Sequence, residues 1–196
     1  MIVHNYEQRS EDWFNVRKGK VTASNGTAIG NCGKGLITYV NKVMAEFYSS
    51  AEKERYTNKD LQRGIELEEH AVSVYELETG ETIEEVGFCE YNEYAGASPD
   101  GLIGSDGLIE IKCKNDEKHF QHLLHGEKAI ESGYRWQVAM QLLVTGRKYC
   151  NFVCYNPNFE NSLLVYRIDR DETKIERLRE GIAMAGKMIE EIKSKI

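Results

Sequence analysis

Proline is nearly absent from this chain, with two residues in 196. Proline-rich linkers cannot be built from so few, and no repeat or low-complexity tract divides the sequence. Long apolar runs are missing too. None approaches the roughly 20 residues that a membrane-spanning helix needs, and the opening MIVHNYEQRSEDW is too polar and acidic for a secretory signal. The expectation is a cytoplasmic protein with no membrane partner. The five cysteines (Cys32, Cys89, Cys113, Cys150, Cys154) are odd in number and scattered. Without a CxxC pair they read as small apolar fillers rather than thiolate ligands. Cys150 and Cys154 flank NFV on one face of a strand-like run. A surplus of positive charge is also lacking: 25 basic residues face 32 acidic ones, for a net charge of −7. That balance gives no global attraction for a polyanion. A local basic face still dominates at short range, and the basic runs are Arg17-Lys18-Gly19-Lys20 and Lys112-Cys113-Lys114.

What remains is ordinary globular composition, 41% apolar and 29% charged, on a chain long enough for one domain with a real core. The expected domain spans 1–196, with a core over about 8–170 and a C-terminal helix over about 171–195. Ser10 caps a helix through EDWFNVRK that stops at Gly19. Thr22-Ala-Ser-Asn opens a short second helix, 36–47 has helical spacing, and 60–79 reads as a longer helix closed by Gly80. The period then changes: 82–91, a short stretch near Leu102, and 108–112 read as strands. Helix returns over 117–124 and 127–145, strands over 148–155 and 162–168. The tail carries one apolar stripe (Ile175, Leu178, Ile182, Ala185, Ile189, Ile192, Ile196) for packing on the domain. The fold class is α/β or α+β, a mixed central sheet flanked by helices.

The chemistry concentrates in GASPDGLIGSDGLIEIKCK, residues 96–114. A Pro99-Asp100-Gly101 bend lets a short carboxylate project from the sheet. Glu110 and Lys112 lie two apart on a strand and leave the same face. Two acids and one ammonium in a cleft are unbalanced unless a hard divalent cation joins them. Mg²⁺ takes oxygen ligands and keeps several waters, and the Ile111 carbonyl is a further donor. Such a site suits phosphodiester hydrolysis, with Lys112 holding the attacking water and offsetting transition-state charge. A second cation would need another carboxylate, and the 60–79 helix offers Glu66, Glu68 and Glu69. By itself a D…ExK pattern is common and reads as a turn residue plus an exposed cross-strand pair. Here it sits within SPDGL and LIEIKCK, behind a glutamate-bearing helix and ahead of a glutamine-bearing one.

Five ordered blocks, QRSEDWFNVRKGKVTAS, RGIELEEHAVSVYELETG, GASPDGL, LIEIKCK and YRWQVAMQLLVTG, span about residues 8 to 157. In them the chain resembles the phage lambda exonuclease, or YqaJ-type viral recombinase, family of the PD-(D/E)xK nuclease superfamily. The resemblance implies a restriction-endonuclease-like core and a Mg²⁺-dependent 5′-to-3′ exonuclease, with Mn²⁺ as a substitute and two ions per site. The substrate would be double-stranded DNA ends, digested on one strand to leave a 3′ overhang. It implies a ring-shaped homotrimer, and a single-strand annealing protein of the RecT or Red-beta type as partner in recombination within a bacterial host carrying the phage or prophage. By the family pattern Asp100 and Glu110 are metal ligands with Glu68 near the second ion, and Lys112 is the catalytic lysine. Arg17, Ser24, Ser98 and Gln137 correspond to residues that grip a 5′-phosphate, a set suited to it because a cationic fork is joined by neutral donors. Gln141, one helical turn after Gln137, supports the acids, contacts backbone phosphate, or is structural. Two other readings stand beside this one: an endonuclease of the same fold, and an inactive module that binds DNA ends. Trp13 and Trp136 read as core, Tyr91 and Tyr94 as strand packing. His70, His119, His122 and His125 read as surface residues.

Overall fold

The computed structural model describes residues 1–50 and 59–196, and for 59–63 and 65 the backbone alone. The chain runs β1 (Ile2–His4), α1 (Glu11–Arg17), β2 (Val21–Thr22), a 3₁₀ turn (Ala23–Asn25), α2 (Gly26–Asn31), α3 (Lys34–Tyr48) and α4 (Lys59–Thr79). The strands β3 (Ile83–Glu84), β4 (Phe88–Asn92), β5 (Ala95–Ala97), β6 (Gly101–Ile103) and β7 (Gly107–Cys113) follow. Next come α5 (Asp116–His125), a 3₁₀ turn (Gly126–Ala129), α6 (Ser132–Thr145), β8 (Tyr149–Tyr155), β9 (Leu163–Asp169) and α7 (Glu172–Lys193).

Local chemistry sets several of these limits. The Ser10 hydroxyl accepts from the Trp13 amide to start α1, and Gly19 leaves it with φ 75°. Gly80, at φ 70°, closes α4. Strand 82–91 of the sequence reading is two strands in two sheets. The break falls at Gly87, where a Cβ would lie 2.0 Å from the Tyr6 carbonyl oxygen. One sheet has the order β1-β4-β5-β2 and the other β3-β6-β7-β8-β9. β1, β2 and β5 are only two or three residues long and carry no readable alternation.

The larger sheet positions the site. β7 pairs antiparallel with β6 and parallel with β8, so α5 and α6 form the crossover that a parallel pair requires. β7 has period two in its surroundings. Ile109 and Ile111 join Ala71 and Tyr75 of α4 in one apolar cluster, while Leu108 joins the main core with Val138 and Leu142 of α6. Glu110 and Lys112 therefore face the α6 side. α7 packs its stripe on this core, and Gly181 brings it against α2, where a Cβ would meet the Ile29 carbonyl oxygen at 2.0 Å. Ile196 lies beyond the helix and is exposed.

Trp136 is buried, and Cys89, Cys150 and Cys154 fill core positions as expected. Two of the four histidines differ from expectation: His119 and His122 are buried. They lie on the face of α5 toward β8 and β9, with His119 Nε2 2.9 Å from the Asn161 carbonyl and His122 against the Tyr166 ring. No helix among the described residues is long and apolar enough to cross a membrane.

Candidate active site

β6 begins at Gly101, opposite Ile109, so beyond Ile109 β7 has no strand on that side. The Asp100 turn fills the gap. The Asp100 amide donates to the Ile109 carbonyl at 3.2 Å, and Asp100 Oδ2 accepts from the Ile111 amide at 2.6 Å. In a strand one residue's N–H and C=O point to the same side, so the Ile111 carbonyl also faces the Asp100 side. Glu110 is 1% exposed and almost fully bonded. Its Oε1 accepts from Gln137 Nε2 at 2.6 Å and from the Lys112 ammonium, its Oε2 from Gln141 Nε2 at 2.6 Å. Four residues along a helix returns the same face, which is why α6 presents both amides to one carboxylate. Gln141 is wholly buried, and its amide oxygen has no partner among the described residues.

Charge is out of balance here. Burial, and then the Glu110 carboxylate, push the Asp100 carboxyl well above the usual range; Lys112 opposes this and Glu68 adds to it. Burial works against the Lys112 ammonium, but Glu110 and Asp100 outweigh it and hold its pKa above the ordinary lysine value. Of the three glutamates on α4, Glu66 and Glu69 are exposed, and Glu68 is the half-buried one whose charge reaches Asp100. A guanidinium already holds it: Arg9 Nη2 lies 2.9 Å from Glu68 Oε2.

A second cluster adjoins the first, because Ser98 is two residues before Asp100. Arg17 Nη1 donates to Ser98 Oγ at 3.0 Å, and the guanidinium lies 3.9 Å from the centre of the Trp13 ring. Trp13 Nε1 donates to the same Oγ at 3.0 Å and to the Gly87 carbonyl at 2.9 Å. Burial lowers the Arg17 pKa to about 10, which leaves it charged at neutral pH, and among the described residues no carboxylate pairs with it. β2 runs parallel to β5 with Thr22 opposite Gly96, two residues before Ser24 and Ser98 respectively. Ser24 is exposed, 3.5 Å from the Thr22 hydroxyl, which in turn meets Tyr39. Gln137 stands with the acids: its amide bonds Glu110, not Arg17, Ser24 or Ser98. Its backbone nevertheless borders the second cluster, since a Cβ on Gly26 would lie 3.2 Å from the Gln137 nitrogen.

The YqaJ-like viral recombinase domain matches residues 12–148. The chain belongs to that family. The YqaJ-like chain is 34% identical to an alkaline exonuclease (LHK-Exo) from Laribacter hongkongensis, over 95% of this chain and 97% of that one, with a TM-score of 0.81. The same enzyme in complex with dAMP superposes with a TM-score of 0.83. A phage-related exonuclease from Haemophilus somnus 129PT shares the fold at 19% identity, with a TM-score of 0.69 over 92% of this chain and 98% of that one. No curated protein matches in sequence.

Among the described residues of the YqaJ-like chain, no three His, Cys, Asp or Glu side chains close into a ready-made metal cage. The donors still suit a hard cation. They are oxygens, they are short of positive charge, and one buried amide oxygen lacks a donor. Sequence reasoning missed Arg9, Gln8 and the contribution of Trp13. Gln8 Nε2 donates to the Pro99 and Val86 carbonyls, each at 2.9 Å. A tryptophan four residues before an arginine on one helix was the available signal for their stacking.

Proposed function

We propose that this chain is a divalent-metal-dependent exonuclease that removes nucleotides from the 5′-ended strand of linear double-stranded DNA and leaves a 3′ overhang. The observation that carries the proposal is the buried Glu110, held by Lys112, Gln137 and Gln141 beside a destabilised Asp100, two residues from an unpaired Arg17–Ser98 cation pocket.

Asp100, Glu110 and the Ile111 carbonyl would hold one Mg²⁺ or Mn²⁺, and Glu68 would serve a second. Bound there, the ions would lower the pKa of a water and offset charge on the scissile phosphate. The residues do the rest. Gln137 and Gln141 fix Glu110 in one orientation. Lys112 holds the attacking water and neutralises charge that develops on the phosphate oxygens. Ser98 Oγ already accepts from Trp13 and Arg17, so its own hydrogen is left to donate to a phosphate oxygen. With Ser24 it would complete the Arg17 pocket for a terminal 5′-phosphate. Anchoring that end selects the bond presented to the acids, which gives polarity. By the same reading, three chains would form a ring, and a single-strand annealing protein would receive the product in recombination.

The test is linear duplex labelled at either the 5′ or the 3′ end of one strand, with Mg²⁺ or EDTA. Early release of 5′ label, with loss of duplex and no release in EDTA, is expected. Release of 3′ label first would reverse the polarity, and cutting of closed circles would favour an endonuclease. Binding to ends without release across Mg²⁺ and Mn²⁺ would leave a binding module.

A further inference from the structure

Arg9 is out of place on local grounds. Its φ is 72°, in the left-handed region that glycine favours, and the one other non-glycine residue with positive φ among those described is Cys32. Strain of this kind persists only where surroundings hold it, and it gathers at functional sites. Gln8, the preceding residue, fastens to the Pro99 carbonyl on one side and the Val86 carbonyl on the other. Ser10, the following residue, donates its amide to the Glu7 carbonyl and caps α1. Between these anchors the left-handed residue directs its side chain across to α4, where it takes Glu68 Oε2 at 2.9 Å. Glu68 Oε1 carries no hydrogen bond from any described residue.

One turn thus grips both halves of the acidic site: the Asp100 bend through Gln8, and the Glu68 helix through Arg9. We propose that the Gln8–Arg9 turn is a clamp that sets Glu68 against Asp100, with Arg9 as the positioning residue for the Glu68 carboxylate. This rests on the reading above that Glu68 and Asp100 serve divalent cations. A carboxylate held by one oxygen keeps a fixed orientation with the other left to a metal, and loss of such a partner typically weakens a metal site about 10–100-fold. An ordinary exposed ion pair would do much less, because it is worth little to stability.

Arg9→Gly separates positioning from scaffolding because its two effects have opposite signs. Glycine fits the left-handed backbone, so the variant in EDTA should unfold at the wild-type temperature or higher. Titrated with Mn²⁺ in a calorimeter without DNA, it should bind about 10–100-fold more weakly, and Arg9→Lys, which keeps the charge, should recover part of that loss. Wild-type Mn²⁺ binding by Arg9→Gly would overturn the clamp, and so would weaker binding accompanied by a lower unfolding temperature in EDTA. Asp100→Asn and Glu68→Gln are titrated in parallel. If both lose Mn²⁺ affinity and Arg9→Gly does not, the clamp alone is wrong; if neither loses it, the cation reading fails and the clamp falls with it.

Discussion

Asp100 is where electrostatics works against the fold. Its carboxyl holds a proton more tightly in the folded chain than in the unfolded one, through burial first and Glu110 second. Metal-free protein should therefore lose stability as pH rises from the unfolded carboxylate value, about 4, through the raised folded one. Asp100→Asn removes the charge that causes this. In EDTA its thermal midpoint should fall less than that of the wild type between pH 5 and pH 8, and lie higher at pH 8, each 1 kcal/mol reading as about 2–4 °C. Turnover should be lost. Equal pH dependence in both proteins would remove the electrostatic account. Arg17 makes a different prediction. Charge-assisted bonds of this kind are worth about 1.5–3 kcal/mol, so Arg17→Ala should reduce kcat/KM on 5′-phosphorylated ends by about 10–100-fold. On 5′-hydroxyl ends the loss should be small. At this scale the acids were legible in the sequence because a Pro-Asp-Gly bend and an alternating strand are local signals. Arg9 was not legible: an arginine in left-handed backbone looks like any other arginine until three tertiary bonds around it are known.

Elements deliver the site as much as residues do. The start of α2 sits directly on α6, with a Gly26 Cβ only 2.6 Å from the Trp136 carbonyl oxygen. Added bulk there pushes on the helix that carries Gln137 and Gln141. Gly26→Ala should cost about 1–3 kcal/mol of stability and, through displaced amides, lower kcat by about 10–100-fold at temperatures where it is folded. Gly181→Ala, which collides with Ile29 at the α2–α7 contact, should cost similar stability and leave kcat near wild type. Denaturant midpoints paired with kcat distinguish the two. Most elements were readable because their periods are sustained: the 21-residue α4, the seven-residue β7 to β9, the 22-residue α7. The division into two sheets was not, since it depends on Gly87 admitting the backbone of residue 6 and on strands too short to show a pattern. The burial of His119 and His122 escaped for a related reason. Histidine spacing on α5 says nothing about β9 folding over it.

For the whole molecule, an acidic chain of net charge −7 places cations beside the candidate site in two small places, around Arg17 and Lys112. The shortage of charge at the acids has a thermodynamic reading. A cation that binds only the folded state stabilises it by mass action, about 2.7 kcal/mol at one hundred times its Kd. Mn²⁺ or Mg²⁺ should raise the wild-type unfolding temperature in a concentration-dependent way, and Asp100→Asn should respond far less. A midpoint indifferent to either ion would speak against a cation site in this cleft.

The parallel pairing of β7 with β8 has one last consequence. The helix bearing the two amides that hold Glu110 lies within the long crossover from β7 to β8, so β7 alone leaves that carboxylate without its amide partners. Loop closure must precede the ordering of that group. During refolding, regain of hydrolysis would then report completion of the sheet itself and lag behind any signal from α4 or α7 alone.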